Sequence, residues 1–127
     1  MILLDTHVLL WARQDPDRLP PPAATVVSSA SEWTISDITL WEIAVLVRED
    51  RIRVPGSLDS YLDEISATTS VRPISAAVAA VVGTLPLDFP ASDPADRIIY
   101  ATAQVHGLSL VSADRQLRAY DLSIVWD

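Results

Sequence analysis

Four acids stand where chemistry could be done: Asp5, Glu42, Asp96 and Asp114. Asp5 ends the apolar run Ile2-Leu3-Leu4, and a new apolar pattern (Val8, Leu9, Leu10, Trp11) starts at once. Asp114 follows the segment Leu108 to Ser112, and Asp96 opens the longest helical stretch. Glu42 is the only charge between Ile38 and Val47. A helix that is apolar nearly all round is buried or covered, and an ionised carboxylate there is expensive without a partner. In open parallel sheets the carboxyl ends of the strands share one rim, where ligands bind. All four acids can meet at that rim. Clustered carboxylates repel, so at least one stays protonated unless a cation arrives. Oxygen-only ligands suit Mg²⁺ or Mn²⁺ rather than zinc. The chemistry that follows is phosphodiester hydrolysis: the ion neutralises and polarises the phosphate and supplies hydroxide at neutral pH. One ion or two would serve. Arg97 and Arg115 directly follow two of the acids and are candidate phosphate contacts, with surface ion pairing as the plainer reading of each.

Each acid also has a structural reading. Asp5 and Asp114 could simply cap the helices they precede. Asp93, with Pro94 next to it, reads as an N-cap, and Asp96 sits where a capping-box acid would reach back. Thr39 and Glu42 match a capping box only if Thr39 is the cap and Ile38 lies outside the helix. Taken singly the acids are ambiguous; the pattern of four is sharper.

The elements that must position them alternate in type. Ile2 to Leu4 reads as a strand buried on both faces. Helices are expected from Thr6 to Arg13, from Pro22 to Ala30, from Ile38 to Glu49, from Leu58 to Ala67 and from Ser75 to Val82. Asp15-Pro16 breaks the first of them. A further helix runs from Asp93 to His106, with Gly107 as its stop, and a short one from Arg115 to Ala119. Strands are expected at Trp33 to Ser36, at Leu108 to Ser112 and around Ile124 to Trp126. Val71 to Ile74 reads as an edge strand, where proline is tolerated, and Leu85 to Ser92 as a loop. The class is α/β with a central, mostly parallel sheet of four or five strands, helices on both faces, and one domain over residues 1–127.

Composition narrows the chemistry. A chain of 127 residues that is 50% apolar suits one compact domain with a real core. No apolar run approaches the roughly 20 residues of a membrane span, and the short apolar start has no basic flank, so no signal peptide is expected. The absence of cysteine excludes disulfides and thiolate metal sites. A cytoplasmic location fits. The formal charge of −8 argues against general attraction to phosphate backbones. All nine basic residues are arginine, which removes Schiff-base and P-loop lysine chemistry. There are three glycines and no G-x-G-x-x-G, so a dinucleotide site is not expected. His7 lies near the proposed site without a second histidine, and His106 complements a helix C-terminus.

The segments Leu3-Leu4-Asp5-Thr6-His7, Ser36 to Ile43, Asp93 to Ile99 and Leu110 to Arg115 together resemble the PIN-domain ribonucleases, specifically the VapC-like toxins of bacterial toxin–antitoxin pairs. The resemblance runs over nearly the whole chain. It implies a PIN-like domain with its first strand in mid-sheet, and a Mg²⁺- or Mn²⁺-dependent endoribonuclease acting on structured RNA such as transfer or ribosomal RNA. It implies Asp5, Glu42, Asp96 and Asp114 as the catalytic, metal-binding quartet, with Asp93 as an accessory acid. Thr6 and Ser112 would make supporting hydrogen bonds; the family commonly has threonine where Ser112 stands, and serine keeps the hydroxyl. It further implies a homodimer, a cognate antitoxin that covers the site, and no membrane partner. Trp11, Trp41, Val45 and Leu46 are candidates for the apolar surface a partner would need. The competing reading is a catalytically inactive PIN-like module that binds RNA or protein, which the acidic total charge favours. An aspartyl-phosphate enzyme built on Asp5 is a weaker rival, because position 7 is His and no Lys is present.

Overall fold

The computed structural model describes residues 1–91 and 93–127. Among these, the chain forms β1 (Ile2–Leu4), α1 (Thr6–Gln14), a 3₁₀ turn (Pro16–Arg18), α2 (Pro21–Ser29), β2 (Thr34–Ser36) and α3 (Asp37–Arg48). It continues with α4 (Leu58–Thr68), β3 (Ser70–Arg72), α5 (Ala76–Thr84), α6 (Pro94–His106), β4 (Ser109–Val111) and α7 (Arg115–Tyr120). The four strands form one sheet in the order β3-β2-β1-β4, and every pairing is parallel. The expected loop after α5 is present up to Ala91; its last residue, Ser92, lies outside the described residues.

β1 is an interior strand, as its apolar run requires, and side chains alternate between faces along it. Ile2 and Leu4 point into one core, with Val8, Leu9 and Leu10 of α1, Val27 of α2, Ile43 and Leu46 of α3, and Ile65 of α4. Leu3 points into the other, with Ile99, Tyr100 and Ala103 of α6, Phe89, and Leu117 of α7. Helices therefore cover both faces. None of the helices described is long and apolar enough to cross a membrane.

Local residue chemistry sets the ends of these elements. Ser36, Ser57 and Ser75 each accept a backbone N–H and start α3, α4 and α5. Gly107 ends α6 at φ +63°, a left-handed conformation that glycine adopts without a Cβ penalty. β3 starts at Ser70 and stops before Pro73, one residue earlier at its start and two at its end than the pattern Val71 to Ile74 suggests. Proline has no N–H for the ladder, which explains the early stop.

The expected fifth strand around Ile124 to Trp126 does not form. Val125 makes one isolated parallel bridge to Val111. Its N–H donates to Leu110 O at 2.9 Å and its carbonyl accepts from Ser112 N–H at 3.2 Å. The next carbonyl, of Trp126, is taken by Ala23 N–H of α2 at 3.1 Å, which draws the chain off the sheet edge.

Leu3 has no solvent exposure. Leu3→Ala is expected to lower the unfolding free energy by about 3 kcal/mol, within the usual range for a large-to-small core change. Ser109→Ala, on the exposed start of β4, should stay within about 0.5 kcal/mol of the parent. Urea denaturation followed by far-UV circular dichroism measures both.

Candidate active site

Parallel pairing puts the carboxyl ends of the strands at one rim, and register places the first acid there. Leu4 pairs with Val111, so Asp5 comes level with Ser112. Asp5 N–H donates to Val111 O at 3.0 Å. Ser112 Oγ donates to Asp5 Oδ2 at 2.7 Å, and the same oxygen accepts Asp114 N–H at 3.1 Å. Asp5 Oδ1 accepts Thr6 N–H at 2.7 Å. Asp5 is thus both the cap of α1 and a wall of the rim.

β2 delivers the next group. Ser36 Oγ accepts Ile38 N–H at 3.2 Å, so α3 begins at Asp37 and Glu42 falls in its second turn. The capping box from Thr39 to Glu42 is therefore not formed. Thr39 instead is fully buried and turns toward α1. Thr6 Oγ1 donates to Glu42 Oε1 at 2.5 Å and lies 3.1 Å from Thr39 Oγ1. Because the Thr6 proton goes to Glu42, Thr39 is the donor in the threonine pair. Thr39 was legible only through its spacing of three from Glu42, which puts both on one helix face.

α6 supplies the remaining acids. Asp93 Oδ1 accepts Ala95 N–H at 3.0 Å and caps the helix. Oxygens of Glu42, Asp93 and Asp96 lie within 4.8 Å of one another. Asp96 sits in the first turn of α6, as a capping-box acid would, but its carboxylate joins this cluster. Asp114 Oδ1 accepts Gln116 N–H at 2.9 Å and Leu117 N–H at 3.0 Å and caps α7.

The five carboxylates, with His7, Trp11 and Ala113, line an open cleft of about 340 Å³. The four expected acids do share one site. The oxygen cluster within 4.8 Å, however, contains Asp93, expected in a supporting place, and not Asp5 or Asp114. Those two are held at the wall by Ser112, Thr6 and the N-terminus of α7. Neither Arg97, half-buried on α6, nor the exposed Arg115 lines the cleft. Among the described residues neither forms an ion pair. Of the candidate apolar surface, Trp41 is 58% exposed, Trp11 and Val45 are half-buried, and Leu46 belongs to the core.

The electrostatics follow from this crowding. Burial raises Glu42 to about 7, with the hydrogen bond from Thr6 opposing and the charges of Asp5 and Asp93 adding. Burial, then Asp5, Asp93, Glu42 and Asp114, raises Asp96 to about 7. Burial also raises Asp5, against the hydrogen bonds from Ser112 and Thr6 and the nearby His7. These oxygens are all hard, and their mutual repulsion is what a divalent cation relieves.

Acids whose folded pKa lies above the unfolded value bind more protons when folded, so ionisation opposes folding. On this account the metal-free chain keeps the full contribution below about pH 4, the ordinary carboxylate value, and loses it as pH rises from there to about 7, above which the loss levels off. Asp96→Asn should flatten that fall. Thermal melts in EDTA between pH 5 and 8.5 read the effect; equal slopes for parent and variant would contradict it.

Comparison with known proteins places this architecture. Residues 2–122 match the PIN domain family. Over 119 residues the chain is 39% identical to Ribonuclease VapC22 of Mycobacterium tuberculosis, covering 94% of this chain and 91% of that protein. A toxin-antitoxin complex from Klebsiella pneumoniae contains a chain that superposes with a TM-score of 0.71 at 22% identity, covering 98% of this chain and 96% of that one. VapBC2 from Rickettsia felis, bound to a DNA fragment from their promoter, gives 0.67 at 18% identity over the whole of both chains. At those identities the structures speak for the fold, and the sequence match speaks for kinship. With its parallel sheet, its acidic rim and this match over nearly all its length, the chain belongs to the PIN-domain family, as a relative of the VapC ribonucleases.

Proposed function

We propose that the protein is a Mg²⁺- or Mn²⁺-dependent endoribonuclease and the toxin of a VapBC-type toxin–antitoxin pair. The observation that carries the reading is the convergence of Glu42, Asp93 and Asp96 oxygens within 4.8 Å, on a rim shared with Asp5 and Asp114. The donor set fits a hard divalent ion: it is all carboxylate, and two of its members are pushed up to about 7 when no cation balances them. Glu42, Asp93 and Asp96 would hold the ion, with Asp5 and Asp114 completing the site. When bound, the ion supplies charge neutralisation of the phosphate and activation of water. The protein supplies orientation. Thr6 Oγ1 fixes Glu42, with Thr39 fixing Thr6, and Ser112 Oγ fixes Asp5.

The relative named a ribonuclease supports RNA as substrate, and the complexes named toxin-antitoxin support a protein partner. Beside Asp93, Trp41 joins Ile38, Pro94, Ala95 and Ile98 in an apolar hollow of about 280 Å³, a suitable face for an antitoxin or a second copy in a homodimer. A cytoplasmic location accords with these roles. The net charge of −8 favours the second reading, a module that binds without cutting. Turnover separates the two.

Purified protein should cleave transfer or ribosomal RNA with Mg²⁺ or Mn²⁺ and lose the activity in EDTA, and Glu42→Gln should lower the rate about 100-fold or more. Cleavage that survives EDTA would end the metal reading. Thr6→Val, which keeps side-chain volume and removes the donor, should cost roughly 10- to 100-fold in rate or in Mn²⁺ affinity.

A further inference from the structure

A second cleft, of about 310 Å³, opens beside the acidic one and shares two of its walls, His7 and Trp11. It carries the opposite character. Arg18 and Arg53 line it, with Asp15 as its one acid. Among the described residues neither arginine forms an ion pair, with Asp15 or any other acid. The Arg18 guanidinium lies over the Trp11 ring at 4.5 Å, and the exposed His7 ring stands 5.8 Å from the same indole. Trp126 backs Trp11 at 5.7 Å, so the platform is supported from behind.

On a chain of charge −8, RNA needs a positive foothold next to the cutting centre. Aromatic rings and guanidinium planes that alternate along a groove are what unpaired bases stack on, and free arginines hold the phosphates between them. We propose that this cleft is a nucleotide subsite for single-stranded RNA: His7 and the Arg18–Trp11 stack take the base flanking the scissile phosphate, and Arg18 and Arg53 take the next phosphate. The assignment rests on the nuclease reading and deepens it by specifying unpaired RNA at the point of cleavage. Trp11 and His7 join the two clefts, so a strand leaving the acids runs directly onto the platform.

The test separates binding from turnover. In a Glu42→Gln background, affinity for a fluorescein-labelled 12-nucleotide single-stranded RNA of mixed sequence is measured by anisotropy at several salt concentrations. Arg18→Ala/Arg53→Ala should weaken binding about tenfold and flatten the slope of log K against log[salt] by about 0.7, for the one phosphate the two arginines share. Arg48→Ala/Arg72→Ala, with the same charge change at two arginines that line neither cleft and form no ion pair among the described residues, should stay within about twofold. His7→Ala should weaken binding roughly fivefold, and His7→Phe should restore it if stacking is the interaction. Equal RNA affinity in parent and Arg18/Arg53 variants overturns the subsite and leaves the cleft to a peptide partner. Loss equal to that of the Arg48/Arg72 control overturns it too. In the Glu42-intact protein, absence of RNA cleavage by the parent would sink the nuclease reading without touching the binding result.

Discussion

Everything in this molecule is arranged around a repulsion. Five carboxylates face one cleft, and oxygens of three come within 4.8 Å of one another. Two full charges that far apart, under an effective dielectric near 20, repel by about 3 kcal/mol before solvent screening. That is comparable to the stability contributed by one large buried side chain. The fold tolerates it because the acids sit at the ends of elements whose apolar parts are driven into two cores. β1 shows the division of labour in four residues: Ile2, Leu3 and Leu4 are buried on alternating faces, and Asp5 follows at the rim. The sheet holds the acids together, and burial with mutual repulsion raises Asp5, Glu42 and Asp96 above the ordinary carboxylate range. A cation favours their charged forms.

The parallel topology was legible because strand segments alternate with helical patterns along the chain, although only β1 is an unbroken apolar run. Asp5, Glu42, Asp96 and Asp114 each had a structural reading as a cap or capping-box acid; what pointed to one rim was the pattern of acids beside strand ends together with Glu42 as the lone charge inside an apolar helix. The failures have local causes. Ile124 to Trp126 has strand-forming residues, but a strand needs a ladder, and Ala23 of α2 takes the Trp126 carbonyl that a longer ladder would need. No pattern in a sequence reveals such competition from a distant helix. Thr39 was hidden because its partner is Thr6, and contacts 33 residues apart leave no periodicity. Arg97 and Arg115 were singled out by adjacency to acids, yet neighbours on a helix point about 100° apart, so adjacency places them beside the cleft and not in it.

Asp93 is the informative case. Reading it as a cap was right in geometry, since its Oδ1 accepts Ala95 N–H, and too narrow in consequence. Asp5, Asp93 and Asp114 each use Oδ1 to cap a helix, and each lines the cleft. Capping and function are therefore one arrangement here. In a parallel α/β layer the strand ends and the helix N-termini meet at the same rim. A carboxylate there gains from orphan N–H groups and from the positive end of the helix dipole, which offsets part of its repulsion by the others. The cap also fixes the side-chain rotamer, so the second oxygen is aimed before any ion or substrate is present.

This gives a physical reason for the uneven distribution of charge. On the proposed function, an acidic cleft that binds a cation must still admit an anionic polymer. Arginines inside the cleft would satisfy the carboxylates as ion pairs and compete with a cation, and among the described residues no arginine lines its wall. Positive charge has to sit one step away, close enough to guide a phosphate and far enough to leave the acids unpaired. Arg18 meets that condition by lying against Trp11, an aromatic face that attracts a cation without neutralising it. On the proposed reading the same chain keeps a strongly negative total charge and a locally attractive path for RNA, because His7 and Trp11 stand between the acidic cleft and the arginines.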